Sequence, residues 1–114
     1  MPPAASIDRL ISTRMIMLES LPVEPSARTP AQAKSFEKTE ITIGRSPEAD
    51  FFLDGDRISR LALRVVVSPD QIVLVDNSES GSTINGEHGC GARPIREEDD
   101  IRVGPYRLIV RRTG

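Results

Sequence analysis

Arginine is the residue type this sequence offers most freely for chemistry, since every one of its 15 basic residues except Lys34 and Lys38 is Arg. A guanidinium fork is planar, always charged and matches the paired oxygens of a phosphate or carboxylate better than an ammonium does. A genome-wide preference for Arg accounts for the bias equally well, so position matters more than number. The other reactive groups lack partners at a usable spacing. His88 and Cys90 are the single His and the single Cys, two residues apart in the run Gly86-Glu-His-Gly-Cys-Gly91. A nucleophile and its base need a third group to orient them, and here none follows, so both read as exposed loop residues. Asp76, Ser82 and Thr83 have no partner His. Glu97-Glu-Asp-Asp100 lacks the ligand spacing and central glycine of a calcium loop, and Asp54-Gly-Asp56 reads first as a turn. The residues therefore predict no enzyme, no metal and no cofactor.

What remains is binding chemistry. Arg45 follows Gly44, and Ser59 stands before Arg60. A phosphate dianion needs a fixed guanidinium and short hydroxyl or backbone donors on rigidly anchored loops. Each residue also has a plainer reading. Arg45 can be a solvated Arg ending a strand, and Ser59 can cap its own turn. Arg57 and Arg64 lie beside Asp54 and Asp56 and read as ordinary mixed surface charge.

Elements must hold such residues in place, and 114 residues suffice for one core. The chain is 38% hydrophobic and 28% charged, which argues for a folded domain, and the absence of Trp leaves the core to Val, Ile and Leu. A net charge of -2 gives no broad positive field, so nucleic acid is not an expected partner. A lone Cys90 rules out an intrachain disulfide and suits a reducing compartment, and the cytoplasm is expected. The N-terminus makes a poor signal peptide, and no run approaches the roughly 20 apolar residues of a membrane span. Membrane insertion by this chain is not expected, and nothing in the sequence sets an oligomeric state.

Residues 1–12 read as a mobile N-terminal arm and 13–112 as the domain, with a Pro-rich surface loop at 22–35. A first strand is predicted at 15–21. From Thr39 onward short β-branched runs are punctuated by Gly, Pro, Asp and Asn. Ile41 and Ile43 alternate around Thr42, residues 51–53 follow a turn, and Leu61, Leu63, Val65 and Val67 alternate with Ala62, Arg64 and Val66, which sets them inward. Ser68-Pro-Asp-Gln reads as a hairpin turn into 72–75, and Asn85-Gly86 is the dipeptide favoured where a tight turn needs positive φ. Strands at 101–103 and 106–110 close the chain. Many short strands without a 3.6-residue period predict an all-β sandwich of two antiparallel sheets and almost no helix.

Several phrases, in this order, resemble the forkhead-associated (FHA) domain over about residues 15–111. They are Ile41-Thr-Ile-Gly-Arg45, Ser46-Pro-Glu-Ala-Asp-Phe-Phe-Leu53, Ile58-Ser-Arg60, Thr83-Ile-Asn-Gly86 and the C-terminal stretch from Pro94 to Leu108. The resemblance implies an SMAD/FHA-like β-sandwich of about 11 strands whose loops at one end grip a phosphothreonine peptide. It places Arg45 and Ser59 on the phosphate, with Arg60, Ser80 and Asn85 completing the candidate set. The implied partner is a phosphorylated protein or peptide of the kind a kinase produces, and the implied role is a signalling adaptor. The chain also departs from the pattern. Ala62 stands where the family has a structural His that braces the binding loops. Ser78-Glu-Ser-Gly-Ser82 stands where it reads Ser-Xaa-Asn-Gly-Thr, so the peptide-gripping Asn is replaced by Ser80 or deleted, and Glu79 in the pocket would repel phosphate. These departures support a second implication, a degenerate FHA domain that binds without phosphate as a structural part of a larger assembly such as a bacterial secretion system. In some bacterial relatives a phosphorylated tail Thr folds back into the pocket. Thr13 and Thr29 are the candidates for that here, without the usual acidic tandem-Thr motif.

Overall fold

Alternation at period two decides which side of each strand is apolar, and such strands must meet face to face. A computed structural model of the chain describes residues 15–55, 57–76, 82–88 and 91–113. In chain order its strands are β1 (Met15–Pro22), β2 (Gln32–Glu37), β3 (Glu40–Gly44), β4 (Phe51–Phe52), β5 (Leu63–Val67), β6 (Ile72–Asp76), β7 (Ser82–Ile84), β8 (Glu87–His88), β9 (Gly91–Ile95), β10 (Ile101–Val103) and β11 (Tyr106–Arg112). One sheet has the order β2-β1-β11-β10-β7-β8 and the other β4-β3-β5-β6-β9. All pairs are antiparallel except β3 with β4. The predicted β-sandwich is thus the observed fold, and among the described residues no helix is long and apolar enough to cross a membrane.

Inward residues of the two sheets form one core. Ile16 and Leu18 of β1, Ile41 and Ile43 of β3, Leu63 and Val65 of β5, Leu74 of β6, and Ile101 and Leu108 of β10 and β11 are all buried. Phe36 of β2 meets Phe51 of β4 edge to face, with ring centroids 6.4 Å apart, and closes one side of the sandwich. Side chains stitch the same seam. Gln32 Nε2 donates to the Phe52 carbonyl at 2.9 Å and Lys34 Nζ to the Asp50 carbonyl at 3.3 Å.

Three expectations need correction. The Pro-rich loop ends at residue 31 rather than 35, because 32–37 pairs along the whole inner length of β1. Only Phe36 of that strand is buried, so no alternation marks it. The Gly-rich stretch before residue 91 includes the short strand β8, and β9 runs through Pro94 on a sheet edge, where the missing amide donor costs no ladder bond. Leu61 does not point inward. It is 54% exposed while Ala62 is fully buried, and β5 begins only at Leu63. The N-terminal arm at 1–12, like Thr13, lies outside the described residues.

Register fixes which loops share an end. Ile43, Leu63, Asp76 and Gly91 stand at one level of one sheet, and Ser82, Val103, Tyr106 and Pro22 at one level of the other. Ser82 donates to Asp76, so the two levels adjoin. Connections 23–31, 53–62 and 104–105 therefore cluster at the end where β3 delivers Arg45, whereas turns 68–71, 85–86 and 96–100 lie at the other.

The Pro-rich loop is strapped down at that first end. The buried Tyr106 hydroxyl accepts from the amides of Arg28 (3.0 Å) and Thr29 (2.7 Å) and donates to the Asp54 carbonyl at 2.5 Å. Thr29 Oγ1 accepts from the Asp54 amide at 2.9 Å, and Glu24 pairs with Arg57 at 2.8 Å. Replacing Tyr106 by Phe strands two donors and a carbonyl, so Tyr106→Phe should lower unfolding stability by about 1–3 kcal/mol in urea titration. Amide exchange at Arg28, Thr29 and Asp54 should quicken, and an unchanged midpoint would refute this account of the strap.

Candidate functional site

Gly44 makes the site possible because it has no side chain. A Cβ there would stand 2.1 Å from the Arg60 carbonyl oxygen and 2.9 Å from that of Ser59, so only glycine lets the two backbones touch. The contact is converted into hydrogen bonds. Arg45 N donates to Ser59 O at 3.1 Å and Ser46 N to Arg60 O at 3.0 Å. The Arg45 side chain then folds along the same connection, with Nε donating to the Ile58 carbonyl at 3.1 Å.

Ile58 holds this connection from below. It is buried, its amide donates to Gly55 O at 3.1 Å, and a Cβ on Gly104 would come within 2.6 Å of its Cδ1. Gly104 also has φ +53°, a conformation L side chains rarely adopt. The tight turn between β10 and β11 therefore doubles as a socket for the loop that carries Ser59.

The arrangement leaves unspent charge at one end. Arg57, Arg64, Arg93, Arg102, Arg107 and Arg111 pair with Glu24, Glu40, Glu87, Asp100, Asp100 and Glu19 respectively. The mixed-charge reading of Arg57 and Arg64 matches these pairs. Among the described residues, no carboxylate reaches Arg45 or Arg60, and the Ser59 hydroxyl has no partner. Arg96 also lacks a carboxylate, but it lies at the other end. Arg45 and Arg60 are exposed and Ser59 is half-buried, and their backbones are joined at one end of the sandwich. Two clefts lined by described residues, of about 310 and 430 Å³, lie elsewhere, around Asp70, Gln71, Ile95 and Arg96. A small dianion needs converging donors more than a deep cavity, so the loop end is the better candidate.

Neighbouring braces keep the cradle still. Asp50 Oδ2 accepts from the Thr42 amide (3.0 Å) and hydroxyl (3.2 Å), and its other oxygen meets Lys38 at 2.7 Å, which locks the turn from β3 to β4. Burial alone would raise the Asp50 carboxyl, but the Lys38 ammonium and the Thr42 bonds outweigh it and hold the group below its ordinary value. Asp76 and Ser82 are both buried, and Asp76 Oδ2 accepts from the Ser82 amide at 2.7 Å and hydroxyl at 2.6 Å. This clamp pins both ends of the segment that carries Ser80, which itself lies outside the described residues, as do Glu79 and Cys90. Ala62 is packed in the core and offers no polar brace.

Of the sequence candidates, the structure brings together Arg45, Ser59 and Arg60. It sets Asn85 apart. Asn85 has φ 55°, its amide donates to the Asp100 carbonyl at 2.8 Å, its Nδ2 donates to Asp99 Oδ1 at 3.0 Å and its Oδ1 accepts from the Asp100 amide at 2.9 Å. Its side chain is spent on the 96–100 connection at the far end. His88 is exposed in β8, with its carbonyl accepting from Arg93. Sequence reasoning passed over Gly44, Gly104 and Ile58 as site-builders. For Gly44 the signal was a glycine directly before Arg45, and for Ile58 its place directly before Ser59; nothing local marked Gly104.

Comparison with known proteins agrees with this architecture. The family model of the FHA domain matches residues 41–104. The oxoglutarate dehydrogenase inhibitor of Corynebacterium glutamicum is 29% identical over 68 residues, which take in 60% of this chain and 48% of that protein. The chain thus spans about half the length of that relative. Among solved structures, one from a structural and functional analysis of phosphothreonine-dependent FHA domain interactions superposes with a TM-score of 0.72 at 24% identity, over 88% of this chain and 98% of the other. The FHA domain of CT664 from Chlamydia trachomatis gives 0.74 at 16% identity, over 88% and 99%. At these identities the likeness of the structures is one of fold.

Two tests follow from the braces. Gly44→Ala should cost about 2 kcal/mol or more, because a backbone carbonyl has to give way. Its amide shift changes should centre on 44–46 and 58–62, and an alanine variant of unchanged stability would refute the contact. For Asp50, a lowered folded pKa means its stabilisation is complete above the unfolded value of 3.8 and is lost as pH falls through the folded one. The gap in urea midpoint between the parent chain and Asp50→Asn should therefore hold near neutrality and close below about pH 4. A gap that persists in acid would show that the carboxylate charge is not what locks the turn.

Proposed function

Because this chain belongs to the family of FHA domains, we propose that it is a non-enzymatic interaction module that binds phosphothreonine in a partner protein or peptide. Arg45 and Ser59 take the phosphate and Arg60 lies beside them, with Ser80 as a flanking contact assigned from the sequence alone. The observation that carries this reading is a pair of arginines and a hydroxyl that, among the described residues, meet no carboxylate and no hydrogen-bond partner respectively, held together by the backbone contact at Gly44. A dianion with three acceptor oxygens is the ligand that satisfies such a set. Asn85 has no part in the cradle, since its hydrogen bonds are spent on Asp99 and Asp100.

Support also comes from relatives, one of whose structures concerns phosphothreonine-dependent FHA interactions. The partner is a protein modified by a Ser/Thr kinase, and the cytoplasm is the compartment this reading assigns. The buried Ala62 favours one alternative, a domain that docks into a larger assembly without phosphate. The two readings part on a single measurement.

Calorimetric titration with phosphothreonine peptides and their dephosphorylated forms should show binding only to the former. Arg45→Ala should cost about 2–5 kcal/mol of that affinity, as truncation of one partner of a charged pair does, and Ser59→Ala should cost less. Equal binding of both peptide forms would discard the phosphate reading in favour of the structural one.

A further inference from the structure

We infer that the end of the sandwich opposite the cradle carries a second binding site, which takes an unphosphorylated segment of a partner chain with an acidic and a basic side chain on either side of an apolar one. The site is the pair of adjoining clefts of about 310 and 430 Å³, which share Asp70, Gln71, Ile95 and Arg96. Volumes of this order hold a few side chains. Neither cleft includes a residue of the loops that carry Arg45 and Ser59, so the inference stands apart from the phosphate reading.

The two clefts differ in sign. The smaller is lined by Arg96, Arg111 and Arg112 with Asp70 and Glu97, and buried Ile72 and Ile95 supply its apolar floor. In the larger, Arg96 stands against Asp70, Glu98 and Asp99. Charges this close in sequence and space commonly pair, yet among the described residues Arg96 meets no carboxylate, and Asp70, Glu97 and Glu98 meet no cation. Asp99, the acid best placed to reach Arg96, is held back. Its Oδ2 accepts from the Arg96 amide at 2.8 Å and its Oδ1 from Asn85 Nδ2 at 3.0 Å. An acidic side chain is therefore favoured in the arginine-rich cleft and a basic one in the acid-rich cleft, while the shared Ile95 meets whatever lies between them.

The walls are fixed before anything binds. Ser68 N and Oγ both donate to the Gln71 carbonyl at 2.9 Å, and Asp99 N donates to the Arg96 carbonyl at 3.1 Å, so each wall is a closed turn. Arg112 donates to the Ser68 carbonyl and joins the end of β11 to the first turn. Asn85 ties the second turn to the chain leaving β7 through Asp99 and Asp100. Walls ordered in advance lose little conformational freedom when they are covered. Because the clefts and the cradle lie at opposite ends, one domain can hold a partner at each.

The test is display selection of random unphosphorylated peptides on the full chain, followed by amide-shift titration of the enriched peptide into the parent, Arg96→Glu and Glu98→Lys. Both substitutions fall on exposed positions, where the fold tolerates them. The parent should enrich an apolar residue with an acid on one side and a base on the other. The selected peptide should shift amides at 70–72 and 95–99, and each charge reversal should weaken it about tenfold. No such enrichment, or binding that both reversals leave unchanged, overturns the second site. Shifts centred on 45–46 and 58–60 move the peptide to the cradle and also overturn it. Cleft amides of the unliganded parent that move on Asp8→Lys give the clefts to the chain's own N-terminal residues, and a parent dimer that Arg96→Glu dissolves gives them to a second copy. Either result overturns the inference.

Discussion

A backbone contact between Gly44 and the Ser59–Arg60 peptide organises the end of the molecule that carries the candidate site. No side chain but hydrogen permits a carbonyl oxygen 2.1 Å from the Cβ position, and the space so saved is used for two backbone hydrogen bonds. From that contact follow the direction of the Arg45 side chain, the placement of Ser59, the burial of Ala62 and the exposure of Leu61. Ile58 and Gly104 repeat the same logic one layer down, where a glycine with positive φ makes room for an isoleucine. Two short loops thereby become parts of a rigid surface.

Rigidity also comes from polar groups that bridge elements distant in sequence. Tyr106, on β11, ties the Pro-rich loop to the chain leaving β4 through one hydroxyl that serves three backbone groups. Asp76 and Ser82 tie β6 to β7. Asp50 and Thr42 tie the return from β3. The family's histidine brace has no counterpart at Ala62, and these links work around the same loops by other means. Buried polar groups that are fully satisfied rigidify the elements they join and specify one arrangement of them.

Charge is distributed with the same economy. A net charge of -2 conceals many arginines, and Arg57, Arg64, Arg93, Arg102, Arg107 and Arg111 are each paired with a carboxylate. The cradle differs by omission: no acidic residue among those described approaches Arg45 or Arg60.

Much of the fold was legible in the order of residues. Alternation located β1, β3, β5, β6, β10 and β11 to within a residue or two, and Asn85-Gly86 announced a turn with both φ angles positive, found at 55° and 86°. It failed at β2, β8 and β9, edge or near-edge strands whose residues are mostly exposed, because a strand without an apolar face leaves no period to read. It failed again at Leu61, where a long-range backbone contact overrode a local pattern. By itself, then, the sequence determined the chemistry available, a glycine-arginine and a serine-arginine pair within a β framework, since residue type and strand period are local properties. Only the tertiary structure decided that these pairs meet, that Asn85 belongs to the opposite end and that the Pro-rich loop is tied down. Each of those outcomes depends on which backbone groups find each other across tens of residues, and spacing along the chain carries no record of that.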